Sequence, residues 1–226
     1  MPAGLSSQQQ VWIVTMVALG LAVSWWGRRT LLQRAAGLSS ETQRLASLWV
    51  GAVETMMLKG GPLVLQPASS DAESRASFLP EGLPSSLATG VTFALTAFDP
   101  PGVSRSREEN RKENDELWKV LKDLAPPAVW PGFGVDVDER WREDGFILWW
   151  PDDERDDARD RVLAVASDFQ QGAIYEYYAR DGALRRRTVG AKLAQIDEET
   201  PMKRVVDPPS DPLFQLPWAG PDEARG

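Results

Sequence analysis

The sequence predicts an α+β protein: an N-terminal transmembrane helix, then a small two-layer α/β sandwich (ferredoxin-like or related), with an extended Pro-rich linker and tail. Three observations support this. Residues 11–26 carry no formal charge, strand and helix patterns alternate from 91 to 189, and prolines cluster on both sides of that alternation. The chain therefore divides into a leader and anchor (1–38), an amphipathic helix (39–61), a linker (62–90), an α/β domain (91–190) and a docking tail (191–226).

The apolar run at residues 11–26 is the candidate membrane anchor. A bilayer core is about 30 Å thick and a helix rises about 1.5 Å per residue, so a span needs roughly 20 residues. The run reaches this length if the helix continues to Leu32, with Arg28 and Arg29 extending to the headgroups and Trp25 and Trp26 at the interface. The alternatives are a buried core helix and a cleaved signal peptide, although the uncharged leader argues against cleavage.

Charge around this run predicts the orientation and location of the protein. Basic residues follow the run and none precede it. The positive-inside rule then places the short N-terminus outside and the rest on the cytosolic, stromal or matrix side of a single-pass membrane protein. A plastid is favoured over a mitochondrion as the organelle. The short leader leaves no room for an import presequence, so removal of one before residue 1 stays open.

Composition excludes several kinds of chemistry. The chain has no Cys and no His, which removes thiolate nucleophiles, imidazole acid–base catalysis, nearly all transition-metal sites and the usual haem ligand. We therefore predict no cofactor and no metal, and any pigment contact would need an oxygen ligand. The net charge of −8 disfavours nucleic acid as a partner. The basic run at residues 185–187 is interpreted as a solvated strand face rather than a phosphate site.

Two segments before residue 90 are assigned from local patterns. Ser40 and Gln43 have capping-box spacing, and apolar residues recur at helical spacing from Leu45 to Met57. This pattern predicts an amphipathic helix that ends near residues 60–61. Residues 62–90 contain four prolines and six serines without a clear period, which predicts a linker.

Between residues 91 and 189 the predicted order is β-α-(β)-β-α-β-β. The strands are expected at 91–98, 133–137, 146–150, 173–178 and 184–189, with helices at 106–124 and after residue 152. Ser106 and Glu109 form a capping box, and Asp181-Gly182 is a hairpin signal. Two helices interleaved with short strands indicate the α/β sandwich.

Large apolar residues outside this unit are predicted to contact a partner. The Pro-rich tail spaces such residues as docking segments do, and an amphipathic tryptophan ring is favoured at interfaces. The predicted contact residues are Trp25, Trp26, Trp49, Leu213, Phe214, Leu216 and Trp218. A merely disordered tail is the alternative.

Carboxylates are plentiful at residues 136–144 and 152–157. Oxygen ligands of this kind could bind Mg²⁺ or Ca²⁺, but the spacing of a calcium loop is missing. A solvated acidic face is the favoured interpretation.

Four sequence blocks occur in a familiar order. They are T-A-F-D-P at 96–100, S-R-E-E-N at 106–110, W-R-E at 141–143 and F-Q-Q-G-A-I at 169–174. These resemble the T-A-x-N-P, S-x-x-E-N, W-x-E and F-x-Q-x-A-I blocks of a bacterial family of domains of unknown function, family 3293. The resemblance covers residues 91–189, with Asp99 where that family usually has Asn. It implies no activity, but it marks Asn110, Glu143 and Gln171 as motif polar positions, for which local capping is the alternative.

Two functional hypotheses follow. The first is a non-catalytic accessory subunit of a larger membrane complex, photosystem-like and organellar, whose partners are other subunits and the lipid bilayer. The second is a membrane-tethered enzyme or small-ligand-binding domain that uses carboxylates with Asn110, Glu143 and Gln171. The second requires these three side chains to converge on one pocket, whereas separate local contacts would count against an enzyme.

Overall fold

A computed structural model describes residues 44–45, 48–49, 51–58, 61–77, 85–100, 104–193, 196–207 and 209–225. In the compact unit Ala46–Gly226, eight antiparallel strands close into a barrel in the order β1-β2-β8-β7-β6-β3-β5-β4. The strands are β1 Val53–Leu58, β2 Gly61–Pro67, β3 Gly90–Leu95, β4 Ala128–Asp136, β5 Trp141–Pro151, β6 Ala173–Arg180, β7 Ala183–Gly190 and β8 Asp197–Val205. The α-helices are α1 Asp71–Ser77, α2 Ser85–Thr89, α3 Arg107–Leu124, α4 Arg155–Asp168 and α5 Pro212–Gln215.

Closure of the barrel depends on β1 and β8. β1 pairs with β4 on one side and with β2 on the other, while β8 lies between β2 and β7. Alternation along each strand then separates an inward face from an outward face. Because a closed sheet has no free edge, every strand has a partner on both sides.

The two faces of the sheet bury different cores. On the outward face, α3 and α4 cover apolar residues of β3, β5 and β6, including Phe93, Leu148 and Trp150. On the inward face, Met56, Leu65 and other apolar side chains of β1, β2, β5, β7 and β8 fill the barrel, with Leu87 of α2 among them. The barrel is therefore packed over much of its interior rather than open throughout.

Several elements with strong local signals are confirmed. β3, β5, β6, β7 and α3 lie where the sequence predicted them, and the short strand expected at 133–137 is the end of β4. The β6–β7 turn has Asp181 and Gly182 at φ of 55° and 74°, as an Asp-Gly hairpin requires. The Ser106–Glu109 capping box is also confirmed, with both of its hydrogen bonds formed.

Replacing Ser106 by alanine should lower the free energy of unfolding by about 1 kcal/mol, because the Glu109 amide loses its acceptor at the start of α3. Urea denaturation measures this loss. Ser104→Ala is the control, since Ser104 is exposed just before the cap. If the two variants lose equal stability, the cap is not responsible.

The predicted two-layer sandwich is wrong, because segments outside the predicted domain complete a barrel. Residues 53–58, expected in an amphipathic helix, form β1, and β2 lies in the expected linker. β8 lies in the expected tail. The apolar residues of β1 fit helical spacing as well as strand alternation, and pairing with β2 and β4 decides between them.

The prediction of a single-pass membrane protein is also corrected. Within the described residues, no helix has the length and apolar character needed to cross a membrane. The proposed span at residues 11–26, with Trp25 and Trp26, lies outside the described residues. The membrane location and orientation derived from that span are therefore unsupported.

Candidate functional site

A group of polar and aromatic side chains occupies part of the inward face of the barrel. We call this group the interior polar cluster; it consists of Glu54, Trp141, Glu143, Tyr175, Tyr177 and Arg186. Strand register places its members together: Gly134 of β4 pairs with Glu54 on one side and with Glu143 on the other. Tyr177 pairs with Arg186 across the β6–β7 ladder.

Glu54 and Glu143 lie on either side of Gly134, whose lack of a side chain leaves space above the backbone. A Cβ at Gly134 would be 3.5 Å from Trp141 Cη2 and 3.7 Å from Glu54 Oε2. The Trp141 indole therefore lies over this glycine, and its Nε1–H donates a hydrogen bond of 3.1 Å to Glu143 Oε1. The two carboxyls thus share one region of the interior, with the indole between them.

Arg186 is fully buried on the other side of the cluster. Its guanidinium donates to the carbonyls of Ala52 and Trp49 at 2.7 and 2.9 Å, and its Cζ lies 4.5 Å from the Tyr175 ring centroid. The Tyr175 hydroxyl also donates to the Trp49 carbonyl, at 2.9 Å. The chain that leads into β1 therefore closes over Arg186 and Tyr175. The predicted solvated face at residues 185–187 is wrong for Arg186, since alternation turns it inward.

Burial changes the acidity of both interior carboxyls. It raises the pKa of Glu54 to about 7, against the opposing influences of Arg186 and of the Tyr177 hydroxyl, which lies 3.4 Å away. Burial also raises the pKa of Glu143 well above its ordinary value, and the negative charges of Asp99 and Glu54 add to this effect. Both groups therefore take up a proton more readily than exposed carboxyls.

Two buried threonine hydroxyls face the same interior. Thr92 pairs with Tyr177, and Thr188 pairs with Tyr175, so register places both threonines on the inward face. Both side chains are fully buried, and neither Oγ1 has a hydrogen-bond partner within the described residues. Such unpaired hydroxyls are uncommon inside a folded protein and call for an explanation.

The predicted motif residues have different roles around this cluster. Asn110 Oδ1 accepts from the Asp99 amide at 3.0 Å, and Gln171 Nε2 donates to the Phe98 carbonyl at 3.0 Å. Both amides are buried and hold the loop after β3. Only Glu143 among the three turns into the barrel, and Asp99 on the held loop is close enough to raise its pKa. Asn110 and Gln171 thus position the loop and do not line a pocket with Glu143, which counts against an enzyme that uses all three side chains.

The C-terminal segment packs on its own barrel. Trp218 is 8% exposed, and its indole donates to the carbonyls of Gly132 and Gly145. Phe214 contacts Phe133 edge to face, with ring centroids 6.1 Å apart. Leu213 is half-buried, and Leu216 is 40% exposed.

The predicted partner-contact residues therefore fall into three groups. In the first group, the tail residues, Phe214 and Trp218 pack on the barrel of their own chain. In the second, the Trp49 carbonyl accepts hydrogen bonds from Tyr175 and Arg186 of the interior polar cluster. The third group, Trp25 and Trp26, lies outside the described residues. No observation tests whether any of them also meets another protein, so this stays a prediction.

The buried carboxylate Asp144 holds this C-terminal segment in place. It accepts from Arg142 Nη2 and Arg107 Nη2 at 2.6 and 2.7 Å and from the Ala219 amide at 3.0 Å. Arg142 also donates to the Leu213 carbonyl at 2.5 Å, and Arg107 donates to the Pro217 carbonyl. This network is structural, because its polar groups are occupied by each other and by backbone.

A charged groove of about 770 Å³ lies on the outside of the barrel. Its lining includes Arg155, Arg159 and Arg187 together with acidic residues. Arg155 and Arg159 bind the buried Glu176, and Arg187 binds Asp197. The arginines are thus engaged in ion pairs, and the groove has no excess of one charge that would select a ligand.

In the described part of the chain, no group of three or more Asp or Glu side chains could hold a metal ion. The interior polar cluster is therefore suited to hydrogen bonding, charge pairing and stacking on aromatic rings.

The fold and the site define a closed antiparallel barrel with carboxyl and aromatic groups on part of its inward face. Residues 95–174 match the model of a family described as a protein of unknown function (DUF3293), which confirms the resemblance predicted from the sequence. Neither curated proteins nor solved structures gave a match. The prediction of a photosystem-like, thylakoid protein has no support in the fold or in this family match and is corrected here.

Proposed function

We propose that this chain is a non-catalytic small-molecule-binding protein and that the interior polar cluster is its binding site. The observation that carries the proposal is the environment of Glu143. Within the described residues, this half-buried carboxyl accepts a hydrogen bond from Trp141 and forms no ion pair with Lys or Arg. A carboxyl withdrawn from water without a cationic partner is costly, and a ligand that supplies donors would offset that cost.

Access to the cluster supports the proposal. Trp141, Glu143 and Tyr175 are each only half-buried, so each residue keeps some surface exposed to solvent. Beside them, Met56, Leu65 and other apolar side chains already fill much of the interior. A ligand would therefore bind near the opening of the barrel, where barrel proteins commonly hold small molecules.

Recognition rather than catalysis fits the groups that remain available. The motif amides of Asn110 and Gln171 are engaged with backbone, which leaves a carboxyl, aromatic rings and the Thr188 hydroxyl for a ligand. These groups can orient a small polar molecule by hydrogen bonding and ring contact.

A thermal-shift screen of a metabolite library against the full chain tests this proposal. A ligand that binds only the folded protein stabilises it by about 2.7 kcal/mol at one hundred times its Kd, which raises the melting temperature. We expect compounds that stabilise the wild type and fail to stabilise Glu143→Gln.

Glu139→Gln is the matched control, since Glu139 is exposed in the turn that leads into β5. Its ligand response should equal that of the wild type. The proposal fails if no compound stabilises the wild type, or if every stabilising compound acts equally on Glu143→Gln.

A further inference from the structure

We infer that the ligand of the interior polar cluster is an organic cation, an alkylamine or guanidine whose charged head meets Glu143 and Glu54. This inference rests on the proposed function and names the class of ligand. It follows from the acidic groups, the ring contacts and the unpaired Thr188 hydroxyl beside Tyr175.

Carboxyls outnumber cations around the cluster in the described residues. The negative charges of Glu54 and Asp99 raise the pKa of Glu143. Those of Glu54, Glu143 and Asp136 likewise raise the pKa of Tyr175. The cation that faces them is Arg186, whose guanidinium is bound to the carbonyls of Trp49 and Ala52. When these carboxyls ionise, the region therefore carries excess negative charge, which favours a positive ligand over a neutral or anionic one.

Aromatic rings border the place where such a charge would lie. The Trp141 indole lies over Gly134 between the two carboxyls, and part of its side chain is exposed. The Tyr175 ring already contacts the Arg186 guanidinium, whose Cζ lies 4.5 Å from the ring centroid. A cation near Trp141 would gain ring attraction in addition to its pairing with a carboxylate.

The hydroxyl of Thr188 supplies the independent observation. Thr188 pairs with Tyr175 of the cluster and is fully buried on the inward face, and its hydroxyl lacks a partner in the part of the chain that is described. A hydroxyl oxygen accepts hydrogen bonds, and an ammonium or guanidinium group carries several N–H donors and no acceptor. A ligand of this class would therefore supply a donor to the Thr188 hydroxyl, which the described residues leave unpaired.

A metal ion fits the same region poorly. The described residues contain no group of three or more carboxylates close enough to share an ion. A larger organic cation can instead reach separate carboxyls on β1 and β5 with different parts of its surface.

Cation binding should be coupled to proton release. A bound positive charge favours the ionised form of Glu54 and Glu143, whose protonated forms burial stabilises. The titratable and charged groups that face these carboxyls are Asp99, Asp136, Tyr175, Tyr177 and Arg186. Since Glu54 is half-ionised at about pH 7, affinity for a cation should rise as pH increases through 7.

The test uses n-butylammonium chloride as the probe, with n-butanol and sodium butyrate as neutral and anionic controls of the same length. Binding to the full chain is followed by the NMR signal of the Trp141 indole N–H, assigned with Trp141→Phe. We expect n-butylammonium to shift this signal, with an affinity several-fold and up to about tenfold higher at pH 8 than at pH 6. Neither control compound should match it.

Variants separate the contributions of the two carboxyls. Glu54→Gln should remove most of the pH dependence, Glu143→Gln should abolish binding, and the exposed control Glu139→Gln should leave both unchanged. The pH comparison on the wild type needs no variant, so a folding defect in Glu143→Gln does not affect it.

The inference is overturned if n-butylammonium fails to bind, if butanol or butyrate binds as well, or if affinity does not rise with pH. The library screen still decides the proposed function separately. Neutral or anionic compounds that need Glu143 would sustain a binding site while refuting a cationic ligand.

Discussion

Asp144→Ala should lower the free energy of unfolding by about 3–5 kcal/mol, because it leaves a buried guanidinium without its carboxylate. The Arg142 side chain is 2% exposed and Asp144 is fully buried, so water cannot replace the lost charge partner. The substitution also removes the acceptor of the Ala219 amide in the C-terminal segment. Urea denaturation monitored by tryptophan fluorescence measures the loss.

Two further variants make this result specific. Asp123→Ala removes an exposed carboxylate from α3 and should change stability by less than about 0.5 kcal/mol. Arg142→Met combined with Asp144→Ala should recover part of the loss, because the uncompensated charge is then gone. A loss below about 1 kcal/mol for Asp144→Ala would contradict the importance of this buried network.

Glu54→Gln should stabilise the protein at pH 8 by up to about 3 kcal/mol and have little effect at pH 4.5. The Glu54 carboxyl has an ordinary pKa of 4.5 and a pKa of about 7 in the fold. Between these values the folded state binds more protons than the unfolded state, so wild-type stability falls as pH rises from about 4.5 to about 7. Above pH 7 this contribution has been lost and no longer changes.

Glutamine keeps the shape of Glu54 without an ionisable proton, so the variant should lack this part of the decline. The measurement is the free energy of unfolding in urea from pH 4.5 to pH 8. Glu116→Gln, at an exposed position on α3, is the control and should follow the wild-type curve. Parallel curves for the wild type and Glu54→Gln would show that Glu54 is not held protonated by burial.

Elements with short-range signals were predictable from the sequence, and the architecture was not. The capping box of α3 and the Asp-Gly turn of β6–β7 act over a few residues, so their patterns identify them locally. β2 and β8 gain their places by pairing Val64 with Val205, far apart in the chain. A local sequence pattern does not reveal which distant strand will pair with it. The sequence therefore predicts a linker where the barrel has β2 and a tail where it has β8.

The candidate site was predictable only in part. The W-x-E block identifies Glu143, whereas no sequence pattern identifies Glu54 or Arg186, because charged side chains are rarely turned inward. One signal could have revealed Arg186. Along β7, Arg185 and Arg187 pair with acidic residues on the outward face, and strict alternation turns the residue between them toward the interior.

The position of β8 has a consequence for how the protein is made. This strand completes the sheet between β2 and β7, so the ring of hydrogen bonds cannot close until synthesis has passed residue 205. Until then the nascent chain exposes unpaired strand edges, which are prone to association with other chains. The family segment at residues 95–174 contains β4 and β5 whole, but β1 and most of β3, with which these strands pair, lie outside it.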